Sequence, residues 1–76
     1  MYEAREPKTG GRTWRYKGDL GALARRITGS KNASYQIEAD TAFKPPNYFV
    51  MILTPARSGG WNVEARVMVP AEAVRA

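Results

Sequence analysis

The chain has 76 residues and 8.4 kDa, enough for one compact domain over residues 1–76 and no second core. It contains no cysteine and no histidine, so disulfides, thiolate zinc sites, papain-like sites and Ser-His-Asp triads are excluded. With 43% hydrophobic and 25% charged residues, it reads as a globular chain and not a disordered one. Size scaling gives a folded surface of about 4,600 Å², so the core is expected to be thin.

The net charge is +5, from twelve Lys and Arg against seven Asp and Glu, and it is unevenly spread. Residues 5–31 hold Arg5, Lys8, Arg12, Arg15, Lys17, Arg25, Arg26 and Lys31 against only Glu6 and Asp19. Residues 32–76 balance four cations with four acids. A one-sided basic field attracts polyanions and speeds their encounter, with phosphate backbones the obvious target. The same charge also serves solubility.

In chain order, Tyr2–Arg5 and Thr13–Lys17 read as two short strands around a turn rich in Pro and Gly, Pro7 to Arg12. In the second strand Trp14 and Tyr16 alternate with Arg15 and Lys17, which separates an aromatic face from a cationic one. Asp19 is a good N-cap, Leu20, Leu23, Ala24 and Ile27 follow helical spacing, and Gly29 stands at a left-handed C-cap position. A helix over residues 20–28 is expected, with Arg25 and Arg26 complementing its C-terminal dipole. Tyr35, Ile37 and Ala39 alternate with Gln36, Glu38 and Asp40 as in a strand with one wet face. Pro45-Pro46 lies in a connection, and Tyr48–Thr54 is a strand apolar on both sides. After the turn at Arg57–Gly60, Trp61, Val63, Ala65, Val67 and Val69 alternate with polar residues and Met68, which predicts a single apolar face along the whole run. Residues 71–76 form either a helical turn or a frayed tail.

The fold class that follows is α+β: an antiparallel sheet of about five strands, in the order β-β-α-β-β-β, with one helix packed on one face. A single helix leaves Phe49, Met51 and Leu53 on the opposite face in need of cover. Phe43, the C-terminal tail, a protein partner or a second copy would supply it.

The chemistry available is narrow. Ser30, Ser34, Ser58, Glu38 and Asp40 are the only candidates for catalysis and have no convincing company, so no catalytic residue, metal site or cofactor is expected. Gly10-Gly11 and Gly59-Gly60 lack the following Lys-Ser/Thr and helix of a phosphate-binding loop and read as turns. The residues expected to contact an anionic partner are Arg5, Lys8, Arg12, Arg15, Lys17, Arg25 and Arg26, with Arg able to make bidentate bonds. Aromatic stacking on a single strand would fall to Tyr2, Tyr48 or Trp61.

The layout of helix Leu20–Thr28 followed by strands Tyr35–Asp40, Tyr48–Thr54 and Trp61–Val69 resembles the small phage-encoded inhibitors of bacterial defence, the anti-CRISPR proteins. The resemblance implies a protein that occludes a surface of a nucleoprotein effector, and the absence of cysteine leads to the expectation of a cytoplasmic location. The positive charge departs from the acidic, DNA-mimicking subset of that group and directs the expectation to nucleic acid or an acidic surface within such a complex. The sequence thus predicts a non-enzymatic binding protein for an anionic partner, with no membrane contact. The alternative is a purely protein-binding module or homodimer using Phe49, Met51 and Leu53.

Overall fold

The computed structural model describes residues 1–75; the last position of the C-terminal tail, Ala76, lies outside the described residues. The elements are β1 (Tyr2–Arg5), β2 (Thr13–Tyr16), α1 (Leu20–Thr28), β3 (Ser34–Asp40), β4 (Asn47–Pro55), β5 (Trp61–Val69) and α2 (Ala71–Arg75). The five strands form one sheet in the order β2-β1-β5-β4-β3, and every pairing is antiparallel. The α+β class, the hairpin and the main helix match the expectation, and the tail takes the helical alternative.

Local chemistry accounts for α1. Asp19 accepts the Ala22 amide at 3.1 Å, closing the N-terminus. Gly29, with φ 70°, sends its N–H back to the Arg25 carbonyl at 2.8 Å, a geometry that side chains disfavour. Leu20, Leu23 and Ala24 are buried on the sheet and Ile27 is half-buried, whereas Arg25 and Arg26 face water.

The core fills one side of the sheet. Ala4, Tyr16, Val50, Ile52, Val67 and Val69 meet Leu20, Leu23 and Ala24 of α1 and Ala73 of α2. The largest fully buried side chains are Leu23, Ile52, Val50 and Val67, so the core is as thin as the chain length predicts. The total surface of 5,270 Å² exceeds the scaling value of about 4,600 Å², as a sheet with one uncovered face should.

Among the described residues, neither Phe43 nor the C-terminal segment covers that second face. Phe43 is 54% exposed, and α2 packs into the core on the helix side. Phe49 is nevertheless buried, because the Arg66 guanidinium lies 3.7 Å from its ring centroid and is held by Glu38 at 3.4 Å. Met51 and Leu53 remain half-buried.

Two strand readings need correction. The alternation in β5 does not define one face, because Ile52 pairs with Ala65 and Leu53 with Val63, leaving Glu64 as an extra residue in a bulge. Opposed residues share a face, so Val63 and Trp61 join Leu53 and Pro55 on the helix-free side, while Ala65, Val67 and Val69 stay in the core. Glu64 is anchored by the Thr54 hydroxyl, which donates to its carboxylate at 2.7 Å. The second correction concerns β3. Its expected dry face is not dry: Tyr35 is 40% and Ile37 39% exposed, since β3 is the edge of the sheet and α1 shields it incompletely.

Candidate anion-binding edge

The seven predicted cations separate into three groups. The first sits in the β1–β2 loop. Glu6 accepts the Arg12 amide at 2.8 Å and the Arg12 Nε at 3.2 Å, and Lys8 Nζ approaches the same carboxylate at 3.7 Å. Arg12 also lies 4.8 Å from the Trp14 ring centroid. Gly11 permits this closure, because a Cβ there would stand 2.7 Å from the Glu6 carbonyl oxygen and 2.9 Å from that of Lys8. The Arg12 amide and guanidinium, aided by Lys8, hold the Glu6 carboxyl below its ordinary range. Lys8 and Arg12 therefore share one negative charge.

The second group forms at the outer edge of the sheet. Arg15 and Lys17 come from β2 and the residue after it, and Arg26 reaches them from α1. Its Nη1 donates to the Arg15 carbonyl at 2.7 Å, placing a guanidinium on the edge strand. A groove of about 400 Å³ is lined here by Arg15, Tyr16, Lys17, Asp19, Leu23 and Arg26. Arg15 also lines the adjoining groove of about 600 Å³ with Arg5, Met68, Glu3 and Glu72. Among the described residues, no acid lies within ion-pair distance of Arg5, Arg15, Lys17 or Arg26. The acids sharing the grooves temper the field without pairing these cations.

Arg25 stands apart as the third group. Successive helical residues diverge by about 100°, so Arg25 and Arg26 cannot share a direction. Arg25 folds back over Gly21, whose added Cβ would meet Arg25 Nη1 at 3.4 Å and Tyr35 Cε1 at 4.0 Å, which places Arg25 on the β3 side. The structure thus brings together Arg5, Arg15, Lys17 and Arg26, and separates Lys8, Arg12 and Arg25 from them.

The candidate protein interface changes composition as well. Phe49 is occupied by Arg66, and the more exposed apolar groups on that face are Trp61 at 56% and Val63 at 61%. Sequence reasoning missed Val63 because the bulge that turns it outward interrupts no visible alternation. Of the two carboxylate candidates on β3, Glu38 is tied to Arg66, and Asp40 accepts the Ala42 amide at 3.1 Å in the turn that follows. Neither lines either groove.

Tyr16, at the base of the edge groove, is buried, and its hydroxyl has no hydrogen-bond partner among the described residues. Burial raises its pKa, and the neighbouring Tyr2 adds to the shift. No helix among the described residues is long and apolar enough to cross a membrane. Comparisons with protein-family models, curated proteins and solved structures give no match to this chain.

Proposed function

We propose that this chain is a non-enzymatic binding module that docks an anionic partner, nucleic acid above all, on the β2 edge. The observation that carries the reading is the convergence of Arg15, Lys17 and Arg26, from two separate elements, on one groove, with Arg5 on the adjoining strand. Arginines suit this work because their planar forks bond phosphate oxygens in pairs. Phosphate contact also tolerates loose geometry, which suits a shallow edge better than a deep pocket. The inhibitor role implied by the architectural likeness belongs to the same proposal: a nucleoprotein effector presents nucleic acid for such an edge to cover.

Fluorescence anisotropy with a labelled single-stranded oligonucleotide tests this. The triple variant R15A/K17A/R26A should bind about tenfold more weakly or worse, a loss of roughly 1.4 kcal/mol. K8A/R12A should bind within about threefold of wild type, since Glu6 already engages both side chains. Equal binding by all three proteins would overturn the reading. Retention on an acidic protein surface, with none on the oligonucleotide, would replace nucleic acid with that surface as the partner.

A further inference from the structure

The sheet has two open edges, β2 and β3, and they are treated differently. A strand edge presents unpaired N–H and C=O groups that template further pairing, and natural sheets protect it with short strands, Lys, Pro, bulges or covering groups. β2 is protected: it has four residues, and Arg26 occupies its Arg15 carbonyl. β3 carries only the charges of Glu38 and Asp40 as protection: it runs seven residues, Ser34 to Asp40, in unbroken register with β4, and contains neither Lys nor Pro. Its outward amides and carbonyls make no hydrogen bond beyond the sheet among the described residues.

The apolar side chains of β3 are incompletely covered as well. Tyr35 and Ile37 present apolar surface at the helix side of the edge, although their alternation with polar residues has the form of a strand with one dry face. An added strand would bury them.

We infer that β3 pairs antiparallel with β3 of a second copy, joining two five-stranded sheets into one of ten strands. A two-fold axis through Ile37 makes the strand self-complementary. In that register Ile37 faces Ile37 of the other copy and Tyr35 faces Ala39, which gathers the apolar groups on the helix side. On the opposite side Gln36 faces Glu38 and Ser34 faces Asp40, so each carboxylate meets a neutral hydrogen-bonding group and no like charges oppose. Centring on Glu38 instead would set two carboxylates against each other. Centring on Gln36 would leave Asp40 beyond the seven-residue strand of the other copy. Charge and length together select Ile37.

This arrangement is independent of the anion-binding reading and compatible with it. β2 and β3 are opposite edges, so the two basic edges would stand at the outer ends of the ten-stranded sheet, roughly 40 Å apart at about 4.8 Å per strand.

Sedimentation equilibrium and single-cysteine cross-linking test the pairing together. The wild-type chain should show a concentration-dependent mass approaching twice 8.4 kDa, and Ile37→Lys should sediment as a folded monomer by far-UV circular dichroism. The absence of native cysteine makes a single introduced thiol an unambiguous reporter. Ile37→Cys should oxidise to a covalent dimer, because opposed residues bring their Cβ atoms to about 5 Å. Ser34→Cys should not, since its two copies would lie roughly 20 Å apart along the strands. A wild-type monomer up to about 1 mM, or a dimer that Ile37→Lys leaves intact, would overturn the inference. If Ile37→Lys fails to fold, the cysteine pair decides: cross-linking of Ile37→Cys no faster than Ser34→Cys would also overturn it.

Discussion

Removing Arg66 should destabilise the protein through an aromatic ring, and the effect can be worked from the contact itself. Arg66 carries the guanidinium that covers Phe49 on the helix-free face at 3.7 Å, while its ion pair with Glu38 is about half exposed at both ends. Arg66→Ala uncovers roughly 40 Å² of ring, costing about 1 kcal/mol at about 25 cal/mol per Å². The lost cation–π attraction adds about 0.5–1 kcal/mol at a partly exposed site. Together the loss approaches about 2 kcal/mol, a fall in Tm on the order of 10 °C for so short a chain. Glu38→Gln removes the ion pair and spares the stack, so it should cost only about 0.5 kcal/mol or less. Urea unfolding of the two variants beside wild type separates the contributions. Equal losses, or an Arg66→Ala variant as stable as wild type, would show that the stack does not bury Phe49 to any effect.

Two further predictions concern titratable groups. The Glu6 carboxyl is held below its ordinary value of 4.5 by Arg12, so its contribution to stability is complete above about pH 4.5 and is lost as the pH falls through the folded-state value. Glu6→Gln should flatten that acid limb in pH-dependent unfolding, and an unchanged limb would assign it to other carboxylates. Tyr16→Phe removes a buried hydroxyl that has no hydrogen-bond partner among the described residues, and should leave stability unchanged or raise it by up to about 1 kcal/mol. A loss above about 0.5 kcal/mol in urea unfolding would mean that the hydroxyl makes a stabilising bond in solution.

How much of this was legible in the sequence depends on how locally each feature is determined. The helix was fully readable because Asp19, the apolar spacing of Leu20, Leu23, Ala24 and Ile27, and Gly29 act within a few residues of one another. The Pro7–Arg12 turn was readable for the same reason. The face carried by Trp61 and Val63 was not, because one extra residue in β5 inverts every side chain on one side of it while leaving the alternation intact. Charge arithmetic over residues 5–31 located the basic half of the chain but could not say which cations meet. That depends on how α1 crosses the sheet: Arg26 falls toward β2 and Arg25 toward β3, although they are neighbours. It depends also on a loop closing tightly enough at Gly11 for Glu6 to hold two of the predicted cations. The exposure of Tyr35 and Ile37 was hidden likewise, since alternation specifies a face to be covered without naming what covers it.

The most direct test of the basic edge is the salt dependence of oligonucleotide binding. If Arg5, Arg15, Lys17 and Arg26 each neutralise one phosphate of a single strand, log Kobs should fall against log[salt] with a slope of about −2.8. R15A/K17A/R26A should retain a slope of only about −0.7. A slope that the triple variant shares with wild type would contradict the account and place the electrostatic contact elsewhere on the molecule.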